Sequence, residues 1–248
     1  MIMGGEVFAE PTKSRNRRSK RVVKDLVLEA IGVSRDVLGP AGRLTILKDV
    51  SLKIGNGEAL AVTGPSGSGK STLIALLAGL DQSSSGKIML AGSDLNVLDE
   101  DGRARLRAGR VGFVFQSFYL VDTLTALENV MLPLELADQE MPREKAMEWL
   151  DKVGLADRRD HYPRQLSGGE QQRVAISRAF AIDPQILFAD EPTGNLDDVA
   201  SEQVAELLFS LCARRQAALV LVTHDMTLAA RCDKQLRLEK GRVIADPE

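Results

Sequence analysis

Apolar and polar positions change rhythm several times along this chain. Residues 26–33 and 45–54 alternate between the two, as half-buried or edge strands do, and the second stretch runs into the turn Gly55-Asn56-Gly57. Residues 58–63 form a short apolar run that ends in a glycine-rich turn, and 71–78 has the composition of a buried helix. Residues 87–90 and 111–115 read as further strands. Between 118 and 165 the strand signals vanish. There, 124–136 and 142–153 read as helices, the latter opened by Pro142 and stopped by Gly154. A helix over 168–181, a strand over 186–189, a helix over 199–214 and a strand over 219–223 follow. This order predicts an α/β domain over 26–248, with a mainly parallel sheet, helices on both faces and a helical insert at about 118–165. Residues 1–25 have no period and read as a flexible tail.

Composition narrows the class. The 248 residues are 44% hydrophobic and 27% charged, the balance of a globular protein with a sizeable core. No apolar run reaches the roughly 18–20 residues that span a bilayer, so the chain is not expected to cross a membrane alone. The net charge of -3 divides into +4 over residues 1–27 and -7 over the rest. An acidic body argues against nucleic acid as a partner, because that affinity rests on neutralising phosphates. The basic tail, Lys13 to Arg21, has no apolar segment behind it and is no secretory signal. It reads as a solvated arm; a contact with anionic lipid or an unused upstream start are the other readings. Cys212 and Cys232 are too few for a metal knuckle and read as small thiols in a reducing cytosol.

The chemistry sits at strand ends. Gly64-Pro65-Ser66-Gly67-Ser68-Gly69-Lys70-Ser71-Thr72 fits a phosphate-binding turn between a predicted strand and a predicted helix. Its glycines let backbone N–H groups converge on an anion at a positive helix end, Lys70 is placed for the β- and γ-phosphates, and the Ser71 hydroxyl for Mg²⁺. The apolar strand 186–189 leads to Asp190 and Glu191. Asp190 is the expected partner of hydrated Mg²⁺, and Glu191 the base or orienter of an attacking water. Gln116 and His224 follow two other strands and are expected at the same edge, Gln116 sensing Mg²⁺ or the water and His224 the γ-phosphate. His161 reads as structural.

Leu166-Ser167-Gly168-Gly169-Glu170-Gln171-Gln172-Arg173 opens a second helix with a serine and paired glycines, again an anion-binding N-terminus. With the preceding motifs in this order, the chain from about 26 to 244 resembles the ATP-binding-cassette (ABC) ATPases. The resemblance implies a P-loop NTPase fold with an antiparallel N-terminal β-subdomain and an inserted α-helical subdomain, and ATP and Mg²⁺ as ligands. It also implies a head-to-tail dimer in which Ser167, Gly168 and Gly169 of one copy close on the ATP of the other, with Asp197 on a loop that crosses the interface. Phe188–Asp197 of the sequence, Val114-Phe115-Gln116-Ser117-Phe118 and the segment 98–107 resemble the lipoprotein-releasing, macrolide-exporting and cell-division cassettes. Residues 208–211 and 228–233 most resemble uncharacterised bacterial cassettes encoded beside a large permease. The implied role is an ATPase on the cytoplasmic face of the bacterial inner membrane that drives a separate permease, docked on roughly 118–130. The alternative is a mechanical cassette acting through a permease-like partner without transport. In one respect the chain departs from the family: the usual adenine-stacking aromatic falls near Val37, and there is no aromatic residue between Phe8 and Phe113.

Overall fold

The computed structural model describes residues 26–39 and 42–244; the expected tail lies outside them. Two sheets form the frame. Strands β1 (Leu26–Gly39), β2 (Gly42–Gly55), β4 (Ser85–Leu90) and β5 (Ser93–Asp94) make an antiparallel sheet of order β2-β1-β4-β5. The second contains β3 (Ala59–Thr63), β6 (Val111–Phe115), β7 (Ile186–Asp190), β8 (Ala218–Val222), β9 (Lys234–Glu239) and β10 (Arg242–Ile244) in the order β10-β9-β3-β8-β7-β6. It is parallel except for β10, which turns back on β9.

Among the described residues, seven α-helices cover the sheets: α1 (Lys70–Leu77), α2 (Glu100–Arg107), α3 (Ala126–Leu136), α4 (Pro142–Lys152), α5 (Gly168–Phe180), α6 (Asp198–Arg215) and α7 (Met226–Ala229). The period of two along the buried strands divides the core. Ile186 and Phe188 of β7 pack with Val220 of β8, α1 and the antiparallel sheet, whereas Leu187 and Ala189 pack with Leu221 against α3 to α6. Each fully buried Leu or Phe side chain contributes roughly 1.5–3 kcal/mol on this accounting. Among the described residues no helix is long and apolar enough to cross a membrane.

Strands β1 and β2 run six and four residues further than their alternation predicts. Polar bonds carry the extension: the Thr45 hydroxyl donates to Asp36 at 2.6 Å and Arg43 pairs with Asp36 at 2.7 Å. The β9–β10 hairpin escaped the sequence reading because β9 reads Lys-Gln-Leu-Arg-Leu-Glu, with only Leu236 and Leu238 buried. Helix α3 starts at Ala126 rather than 124 because Thr125 caps it, and it accommodates Pro133. Burial pushes the Cys212 and Cys232 thiols up to about 12 and about 11, which leaves both protonated at neutral pH.

Candidate functional site

The C-terminal ends of β3, β6, β7 and β8 meet at one edge, where ligands of open α/β sheets bind. A cleft of about 430 Å³ there is lined by residues that include Ser66, Lys70, Gln116, Asp190, Glu191 and His224. The topology therefore brings together Gln116, Asp190, Glu191 and His224, which lie up to 108 positions apart in the chain.

The phosphate turn leads from β3 into α1. Gly69, at φ +104°, is the N-cap of α1 and makes no side-chain cap bond, and the first turn contains no acidic residue. The exposed N–H groups and the helix dipole thus face the cleft unopposed. The Lys70 ammonium lies across the turn and donates to the carbonyls of Gly64 (2.8 Å) and Pro65 (3.0 Å). Gly64 has to be glycine: a Cβ at its φ of +139° would stand 2.0 Å from the Leu238 carbonyl of β9. Ser68 lies buried in the turn, and its hydroxyl has no partner among the described residues. Thr72 lies in the first turn of α1.

Asp190 ends β7 beside Phe115, the last residue of β6. Its carboxyl is pushed above the usual range by burial and, more weakly, by the neighbouring Glu191 charge; a hydrogen bond from Ser71 and the Lys70 charge oppose this. Glu191 leaves the sheet at φ +48°, a left-handed conformation that costs a non-glycine residue of order 1–3 kcal/mol and is found where a function requires it. Its carboxylate reaches His224, with Nδ1 at 2.9 Å and a longer contact of 3.4 Å from the backbone N–H. The His224 side chain is 76% exposed.

Gln116 lies in the cleft, but its amide is engaged away from Asp190. It donates to Asn195 Oδ1 at 3.0 Å, and Asn195 Nδ2 donates back to the Gln116 carbonyl at 3.0 Å. This reciprocal pair was not anticipated. It explains Gly194, where a Cβ would come 2.8 Å from Gln116 Nε2.

Ser167, Gly168 and Gly169 lie elsewhere, at the N-terminus of α5. A second concavity of about 420 Å³ joins them to Arg173, Asn195 and Asp197. Here the helix end is partly satisfied by its own side chains: the Glu170 amide donates to Ser167 Oγ (3.3 Å), and the Ser167 amide donates to Glu170 Oε2 (2.8 Å). The Ser167 amide and then Arg158 hold the Glu170 carboxyl below its ordinary value. Asp197 is the N-cap of α6, accepting from the Ala200 amide at 2.9 Å. Beyond Gln116, Phe118 and Tyr119 take left-handed conformations (φ +60° and +48°), and the Arg178 guanidinium fixes both by donating to their carbonyls at 2.8 and 2.5 Å.

One side chain in this region had not been anticipated. Gln172 is fully buried on α5, and its amide donates to the carbonyls of Phe115 (3.3 Å) and Pro192. The available signal was a polar residue at the helical spacing of the buried Ala175, Ile176 and Ala179.

Known proteins resemble this chain. The family model for ABC transporters matches residues 47–194. The uncharacterised ABC transporter ATP-binding protein YbbA of Escherichia coli is 55% identical over 202 residues, 81% of this chain and 89% of its own. The lipoprotein-releasing system ATP-binding protein LolD of Bdellovibrio bacteriovorus is 46% identical over 217 residues, 87% of this chain and 99% of its own. The dimeric structure of a post-hydrolysis state of the ATP-binding cassette MJ0796, bound to ADP and Pi, superposes with a TM-score of 0.81 at 38% identity, covering 88% of this chain and 97% of that one. From the phosphate turn to His224, then, the chain belongs to the ABC transporter family and is one of its ATP-binding, ATP-hydrolysing cassettes.

Proposed function

We propose that two copies of this chain clasp two ATP molecules head to tail and drive a separate permease from the cytoplasmic face of the bacterial inner membrane. The observation that carries the reading is the division of one chain's anion-binding surface into two separate concavities, one around Lys70 and one around Ser167. Each is half of a site that a second copy, turned about a twofold axis, would complete. That MJ0796 forms a dimer supports the same arrangement.

In this reading the turn from Gly64 to Thr72 cradles the phosphates, and Lys70 exchanges its two backbone carbonyls for phosphate oxygens. Ser71 and Asp190 fit Mg²⁺, which takes one or two protein oxygens beside phosphate and water and needs no all-protein cage. The ion would supply charge neutralisation on the phosphate oxygens. Glu191 holds the attacking water and takes its proton, with His224 orienting that carboxylate and meeting the γ-phosphate. Gln116, steadied by Asn195, reports the state of the γ-phosphate to the residues that follow it. Next to it, the turn at Phe118 and Tyr119 is rigid and carries a Tyr119 ring that is 65% exposed, which suits it to dock a permease helix.

The test is Glu191→Gln. The turnover number should fall about 100-fold or more, and ATP should trap a closed dimer detectable by size-exclusion chromatography. Hydrolysis at the normal rate would remove Glu191 from its role. Base selectivity tests the departure at Val37, which pairs with Leu44 near the tip of the β1–β2 hairpin. Without a stacking aromatic, normally worth roughly 1–3 kcal/mol, ATP and GTP should be hydrolysed with kcat/KM values within about tenfold of each other; a much larger preference for ATP would sink this expectation.

A further inference from the structure

Beyond their last shared rung, Phe115 beside Asp190, strands β6 and β7 part company. The chain continues into Gln116 on one side and into Glu191 and Pro192 on the other. The carbonyls of Phe115 and Pro192 lie past the ladder and need donors from elsewhere. The Phe115 carbonyl takes one from the Phe118 amide within its own turn (3.2 Å), and both carbonyls receive one from a single atom, Gln172 Nε2, whose amide group carries two N–H donors. Gln172 is completely buried, and its Oε1 meets no donor among the described residues. An apolar side chain would fill this position without burying an unmatched acceptor. The residue therefore serves the two carbonyls rather than the core.

The same side chain stands one helical turn beyond Ser167, Gly168 and Gly169 on α5. Three nucleotide-facing parts of one chain thus converge on one amide: the strand that ends before Gln116, the loop that follows Glu191, and the helix that presents Ser167. We propose that Gln172 is a positioning residue for hydrolysis. It ties the helix that meets the partner's ATP to Gln116 and Glu191 at the chain's own ATP, so that closure at one nucleotide sets the water-activating groups at the other. This rests on the two-site reading above and adds to it a connection within each protomer.

The test uses the full chain with two replacements, Gln172→Met, of similar length without donors, and Gln172→Glu, of the same shape without the paired N–H groups. Both should lower kcat about tenfold or more while KM for ATP stays within about twofold, the pattern of an interaction expressed in the transition state. The Hill coefficient of ATP hydrolysis should fall towards 1. The loss should be less than additive with Gln116→Ala, because the amide acts partly through that residue. Unchanged kcat in either variant, KM rising in step with the loss, or full additivity with Gln116→Ala would overturn the proposal. Failure of both variants to fold would also overturn it, by making the amide a structural requirement. Glu191→Gln measured alongside separates the two ideas: normal hydrolysis there removes the underlying reading, whatever Gln172 does.

Discussion

Helices α1 and α5 both begin at a glycine-containing turn beside a concavity, yet their first turns are furnished in opposite ways. Helix α1 has no side-chain cap and no acid near its start, so its N–H groups and dipole are free for an external anion. Helix α5 has a capping box: Ser167 and Glu170 satisfy each other's backbone N–H groups, and Arg158 anchors the glutamate at 3.1 Å. A carboxylate already occupies the place where a ligand's charge would be felt most strongly. The difference assigns an order to the two surfaces. In the proposed reading, the α1 end would hold phosphate in a single chain, whereas the α5 end would do so only when another molecule brings the phosphate to it.

The sharpest way to break this comparison is to disarm the stronger site. Lys70→Ala should weaken ATP binding to the isolated chain about 100-fold, since a charge-assisted bond is worth roughly 1.5–3 kcal/mol; titration calorimetry measures it, and unchanged affinity would put the phosphates elsewhere. Ser167→Ala should leave that binding within about twofold but lower ATP-driven dimerisation and hydrolysis about tenfold. If it weakened ATP binding to the isolated chain as much as Lys70→Ala, the order of the two sites would collapse. The smallest effect is on stability. Glu170→Ala should cost about 1 kcal/mol at neutral pH. Because folding lowers the Glu170 pKa from 4.5, this contribution is complete above that value and disappears as the pH falls through the folded one. Urea unfolding of the two proteins should therefore converge in acid; a constant difference at every pH would show that the carboxylate charge is irrelevant to the cap.

The sequence was most legible where pattern and chemistry coincide. The strand β6 and the start of α5 were placed to the residue, because an apolar run ends there at a polar or glycine-rich break. The residues gathered in the cleft, Lys70, Gln116, Asp190, Glu191 and His224, were readable as strand-end polar groups in an α/β order. What they bond to was not. The pairing of Gln116 with Asn195 joins positions 79 apart, and neither residue type implies it. Gln172 stayed hidden because its role is to satisfy backbone carbonyls, which have no sequence of their own. The β9–β10 hairpin lacked a signal for a similar reason, since the exposed positions of β9 are polar and its register is set by β3.

That hairpin bears on how the protein is made. The Gly64 Cα lies against the Leu238 carbonyl, the Gly241 amide donates to the Ser68 carbonyl at 3.0 Å, and the Gly241 carbonyl accepts from the Lys48 amide at 2.8 Å. The back wall of the phosphate turn is thus supplied by residues synthesised some 170 positions after the turn itself. Chains are made from the N-terminus, and their early parts begin to fold first. A nascent chain that has exposed the phosphate turn still lacks this wall until β9 and β10 emerge. A chain cut short before Leu238 should therefore bind ATP more weakly than one that carries β9 and β10.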